Sequence, residues 1–362
     1  MNLYIPLALI SIIISAIFYN NKHYLQILFF VFMLISLIFA SIRFEFGSDY
    51  FQYRDIFDNI KAIGVYDYHL RDDHTELAFL YFLNLFPSYY FFIAFQSICW
   101  FSAVYFFLQS KLDLRYLWFT FFLLFFDANN ILNNYVALRT SFVGIIFLFA
   151  YQQLLNNHKL RFIFLIILSS FFHKSSILLV LLIFIIPSRK IFGLQYEKLY
   201  SFITLVFIIA MLFSNYITTF AFDFIVNFSP SFFEKYETYE AIFSDRTLSI
   251  GNIITNSIFM IQIYCLLFAL QHESDISFQL ILKTSIIAKL AILIFGSGLM
   301  SRYIMILDPV ILVGIIRSLK YLTTPYRIID IGSIVLLTLF NFYNYLMQPY
   351  SVSFLRYQTI FQ

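Results

Sequence analysis

Four short stretches carry residues whose types and spacing can do chemistry in an otherwise oily chain. Arg43 to Tyr50, RFEFGSDY, packs an arginine, two carboxylates and a glycine into eight residues. Arg139 heads an apolar run in NNYVALRTSF, His173 and Lys174 interrupt another in SSFFHKSSIL, and Arg302 stands in GLMSRYIM. Guanidinium groups grip phosphate oxygens through paired hydrogen bonds and stay charged at low dielectric. Asp49, Glu45 and His173 can take a proton from an attacking hydroxyl, and an imidazole with an ordinary pKa of about 6.5 suits that task. Together these groups point to a phosphate-bearing ligand. A plainer explanation stands beside each. Asp is among the commonest helix N-caps, so Asp49 fits a capping role as well as a catalytic one. The arginines can instead pair with Glu45, Asp49 and Asp127 or with lipid phosphates. Asp72, Asp73, His74 and Glu76 read as a solvated acidic loop, because their spacing matches no metal signature.

The elements that must position these groups lie in a bilayer. The chain is 61% hydrophobic and 12% charged, with mean hydropathy +0.83, whereas a soluble domain is about half apolar and about a quarter charged. Cys99 and Cys265 fall inside apolar runs, which excludes a disulfide framework and a CxxC site. The net charge of +3 comes without a basic run, so nucleic acid is not a partner. Nothing in the pattern calls for a metal or a cofactor.

The expected fold is all-α: one polytopic transmembrane domain over residues 1–362, with about twelve spans and both termini outside. Leu3 to Tyr19 lacks the basic start and small-residue cleavage site of a signal peptide and reads as a retained first span. Two larger outer loops are expected, at about residues 43–75 and 217–250. In the first, a helix starting after Asp49 puts Tyr50, Tyr53, Phe57 and Ile60 on one face, suited to the membrane interface, with Gln52 completing a capping box. In the second, FFEKYETYEAIF repeats Phe233, Tyr236, Tyr239 and Phe243 at helical steps.

Tyr116 to Phe126 offers only about 16 Å of helix before the polar DANNILNNYVALR and the next apolar run from Thr140. Phe162 to Phe172 and Ser175 to Ile186 are similarly short on either side of His173 and Lys174. Each pair fits one span with buried charge or a hairpin of two short helices. For the second pair, only a hairpin keeps Lys159, Arg161, Arg189 and Lys190 all on the inner side. Short arms leave Asn133, Asn134, Arg139, His173 and Lys174 below headgroup level, where polar backbone must be buried in protein or line a water-filled cavity. A cavity open to the outside is therefore expected. Further on, Lys289 and Asp308 fall at comparable depth on two antiparallel spans and are expected to form an intramembrane ion pair. Arg43, Arg139, Lys174 and Arg302 sit where an orientation rule makes outer cations scarce, and an anionic ligand gives them a reason to be there.

RFEFGSDY, the arginine of NNYVALRTSF, the histidine of SSFFHKSSIL and the Arg–Tyr pair of GLMSRYIM, in that order, resemble the landmarks of the Wzy/EpsG family of bacterial polysaccharide polymerases. The resemblance implies a multi-pass enzyme of the bacterial cytoplasmic (inner) membrane, with its active site facing the periplasm or cell exterior. It would join undecaprenyl-pyrophosphate-linked oligosaccharide repeats into O-antigen, capsule or exopolysaccharide, among membrane lipids and alongside a flippase and a chain-length regulator. Arg43, Arg139 and Arg302, with Lys174, would hold the pyrophosphate, and Asp49 or His173 would accept the proton. Glu45 occupies a variable position of the first motif. Three alternatives share the same features: a flippase for lipid-linked oligosaccharide, a polyprenyl-phosphate-sugar-dependent membrane glycosyltransferase with a first-loop carboxylate, and an O-antigen ligase, which shares the lipid donor but uses a lipid core acceptor. A flippase should line both halves of its path, whereas the inner halves here are mostly bare apolar helix.

Overall fold

A computed structural model describes residues 4–46, 49–71, 75–127, 130, 137–185, 198–209, 250–347 and 358–359. The Asn133 and Asn134 apex, the Asp72, Asp73 and His74 cluster and the second outer loop up to residue 249 lie outside the described residues. Among the described residues, six helices are long and apolar enough to cross a membrane: Lys22–Ser41, Tyr89–Lys111, Leu138–Leu155, Ile253–His272, Ile276–Phe295 and Thr324–Asn344. Four shorter apolar helices accompany them, Ile5–Ile17, Leu114–Phe126, Lys174–Phe184 and Lys198–Ile209. The all-α expectation is met; about twelve spans were anticipated, and the described residues supply these six and four. Large apolar side chains repeat outward at helical spacing, as in Phe30, Leu34 and Ile38 or Phe91, Phe95 and Ile98. Such stripes on a helix surface suit lipid rather than water.

The described residues fall into two compact units. The first comprises Met1–Ile185, Met305–Ile316 and Thr338–Gln362. In it Lys22–Ser41 packs on Tyr89–Lys111, which packs on Leu138–Leu155, which in turn packs on Lys159–Ser170. Gly144 makes room for the Trp100 ring between two of these helices, since a Cβ there would lie 2.7 Å from that ring. The Phe-rich helix Leu117–Phe126 is buried on nearly every side and packs on Tyr4–Ile17. A helix apolar all round belongs in an interior. Leu117–Phe126 and Leu138–Leu155 thus pack on different neighbours, and most of the polar stretch between them lies outside the described residues.

The second hairpin is present. Lys159–Ser170 packs against the 3₁₀ helix Lys174–Phe184, with His173 at the turn between them. The 3₁₀ geometry stretches those eleven residues to about 22 Å, against about 16 Å as an α-helix. Its short apolar arm therefore reaches deeper than its length suggests. A two-residue antiparallel ladder, Arg43–Phe44 with Gln358–Thr359, is the only strand pairing among the described residues.

The second unit comprises Ile186–Ile304 and Arg317–Leu337. Its core joins Leu199 and Ile203 to Ile263, Leu267, Leu282 and Ile286. The helical run Ile276–Ser318 is 43 residues long, about 64 Å if straight. Yet Arg317 lies 3.9 Å over the Phe278 ring and bonds Glu273 at 2.6 Å, so the run folds back on itself. Lys289 itself stands 4.9 Å over the Phe259 ring in the second unit, and buried Asp308 belongs to the first; their pairing is a proposal.

Candidate active site

The helix Tyr50–Ile63 begins where the sequence places it, and its start is tied down by the Tyr89 hydroxyl donating to the Tyr50 carbonyl at 3.2 Å. Tyr50, Tyr53, Ile56, Phe57 and Ile60 are buried, while Asp55, Asp58 and Lys61 are exposed. The aromatic face thus packs into protein rather than onto lipid. Asp49 occupies the N-cap position without a side-chain capping bond, at φ −92° and ψ 1° rather than the extended backbone a cap uses. The expected capping role of Asp49 is corrected. Glu45 is held at φ 50°, a left-handed conformation that costs a non-glycine residue about 1–3 kcal/mol, where the chain leaves the Arg43–Phe44 strand.

Arg43 is 1% exposed. Its Nη1 donates to the Ala40 carbonyl at 2.9 Å and to Ser97 Oγ at 3.0 Å, and its Nη2 to Gln96 Oε1 at 3.4 Å. Gln96 Nε2 then donates to Ser141 Oγ at 2.8 Å. A buried polar chain therefore runs from Arg43 through the Tyr89–Lys111 helix to the residue two places after Arg139. That chain fixes the end of the Leu138–Leu155 helix on which Arg139 stands.

Arg139 and His173 meet on Glu76, a carboxylate whose sequence neighbours suit a solvated loop. Glu76 Oε2 accepts from Arg139 Nη1 at 2.6 Å. Its Oε1 accepts from His173 Nδ1 at 3.3 Å and from the Lys174 backbone N–H at 3.1 Å. Arg139 Nε also donates to Tyr53 Oη at 3.3 Å, which brings in the first-loop helix. The side chains of Arg139, Glu76 and His173 are 17, 10 and 6% exposed. Glu76 opens the short helix Leu77–Asn84 but makes no cap, because its oxygens are engaged across the fold. The signal that could have found it is its place as the last acid before that apolar run, at the depth where Arg139 and His173 are expected.

Burial alone would raise the Glu76 pKa. The His173 hydrogen bond and the Arg139 charge outweigh it, with a further contribution from His173 when its ring is protonated, and together hold the carboxyl at about 2, so Glu76 is ionised at neutral pH. The His173 ring is fixed by its turn: its backbone N–H donates to Ser169 O, its carbonyl accepts from Ser176 N–H, and Ser169 and Ser176 share a 2.9 Å hydroxyl bond. Lys174 contributes its backbone N–H, while its side chain is exposed. Arg302 is half-buried on the folded-back helical run, in the second unit. Among the described residues no three His, Cys, Asp or Glu stand close enough to hold a metal ion.

A comparison with protein families matches residues 26–359 to one of them. The chain belongs to the EpsG family. This is the family of Wzy/EpsG-type polysaccharide polymerases, and membership implies a glycosyltransferase-like polymerase activity in polysaccharide biosynthesis. Comparisons with curated proteins and with solved structures returned no match. In this EpsG-family chain all four motifs lie inside the matched range, and the structure joins two of them, at Arg139 and His173, through Glu76.

Proposed function

We propose that the chain joins undecaprenyl-pyrophosphate-linked oligosaccharide repeats into a surface polysaccharide at the outer face of the bacterial cytoplasmic membrane. The observation that carries this is the convergence of Arg139, His173 and the Lys174 backbone on buried Glu76, beside the first-loop helix. A growing glycan on the lipid carrier is the donor. A sugar hydroxyl of an incoming lipid-linked repeat attacks its anomeric carbon, and the lipid pyrophosphate leaves with the bonding electron pair. Negative charge grows on the leaving oxygen, so cations fixed in a water-poor site lower the barrier by meeting that charge as it develops. Arg139 supplies such a cation, with Lys174 in support. Arg43, sealed under Ser97 and Gln96, serves the same end by holding the Arg139 helix in register. Asp49 and His173 are the candidate proton acceptors.

Deleting the gene and resolving surface polysaccharide on a gel tests this. Single-repeat material without a ladder is expected, with the ladder restored by the gene in trans. A ladder that persists unchanged in the deletion strain excludes the function.

A further inference from the structure

We infer that Glu76 is a positioning residue that forms a dyad with His173, turning Nε2 of the ring into the base that receives the proton of the attacking sugar hydroxyl. This deepens the polymerase reading and rests on it. Ionised Glu76 can only accept hydrogen bonds, so the Nδ1 that faces its Oε1 at 3.3 Å must carry the hydrogen. In a neutral imidazole that leaves Nε2 as the basic nitrogen. The ring has little freedom to depart from this setting. The Ser169–Ser176 bond closes the turn around it, and the Lys174 N–H holds the same Glu76 oxygen at 3.1 Å. An imidazole is also a stronger base than a carboxylate by about two to three pH units, which favours His173 over Asp49.

The shared carboxylate couples the proton to the leaving group. With a neutral ring, Arg139 and Glu76 cancel, and the cluster carries no net charge. When the hydroxyl oxygen bonds to the anomeric carbon, its proton passes to Nε2. The carbon–oxygen bond to the pyrophosphate breaks, and that oxygen keeps the electron pair. The cluster is then net positive at the moment the pyrophosphate becomes more negative. Deprotonation and leaving-group stabilisation thus become one electrostatic event, and Glu76 is the group through which they communicate. The proton later leaves the imidazolium for water. The charged and titratable surroundings of the ring include Glu76, Arg139 and Tyr53 beyond it, and Lys174 next along the chain.

The test uses the full-length purified chain in lipid vesicles. The substrate is single-repeat lipid extracted from the deletion strain, and initial rates of ladder growth are read across roughly pH 5 to 9, the window in which a histidine base titrates. The wild-type rate falls on the acid side. Glu76→Gln keeps the shape of the side chain and removes its charge, so the acid limb is expected to move about one unit to lower pH, with the plateau lowered about tenfold or more. A uniform loss with the limb unmoved assigns Glu76 a merely structural role and overturns the dyad. If E76Q does not accumulate, His173→Ala with added imidazole takes its place. Rescue that follows the free-base form supports the ring as base, and absence of rescue overturns it. A folded wild-type chain that makes no ladder overturns the polymerase reading itself, an outcome distinct from an unmoved limb.

Discussion

Arg139→Ala is expected to leave cells with single-repeat material and to lower the amount of protein in the membrane. Two effects act together. The guanidinium and Glu76 form a largely buried pair at 2.6 Å, with side-chain exposures of 17 and 10%. Removing one partner of such a pair strands the other charge and costs about 3–5 kcal/mol. Removing a cation aimed at developing negative charge costs a further factor of about 10²–10³ in rate. The first effect acts on folding and the second on chemistry, and a second substitution separates them. Glu76→Gln in the Arg139→Ala background takes away the stranded charge, so the double variant should regain abundance while still making no ladder. A double variant that regained both would show that Arg139 acts only through stability.

Arg43→Ala is expected to cost nearly as much, but through a different route. Arg43 is 1% exposed and donates to Ala40, Ser97 and Gln96. Alanine leaves those buried acceptors without their donor, at about 1–3 kcal/mol for each group stranded. It also removes a fully buried charge whose surroundings are built around it. Abundance in the membrane should fall severalfold, measured by a tagged chain against the wild type. Arg43→Lys should recover little of it, because an ammonium cannot reproduce the planar fork that spans Ser97 and Gln96. Full abundance with loss of polymer alone would instead place Arg43 on the substrate.

Much of this was legible along the chain, and the part that was not follows a physical rule. Apolar runs announce helices, and ionisable groups that interrupt them announce buried polar sites, which is why Arg139 and His173 stand out in the sequence. Local turns are also readable: the break at His173 becomes a hairpin whose arms pack together. What a single sequence does not carry is the partner of a side chain far away in it. Glu76 lies 63 residues from Arg139 and 97 from His173. From its neighbours alone it looked like one more acid in a solvated loop. The same holds for Leu117–Phe126, whose packing on Tyr4–Ile17 no local feature of its sequence announces. Asp49 shows the reverse error, since residue type favours a side-chain cap and none forms at its position.

Ladder growth by the purified chain, alone in vesicles with single-repeat lipid, tests most directly whether polymer forms at the Glu76 cluster. Wild-type protein should extend the repeats into a ladder, and the Glu76→Gln/Arg139→Ala double variant, folded and equally abundant, should leave them single. Ladder growth by the double variant at the wild-type rate would contradict that assignment and place the chemistry elsewhere in the chain.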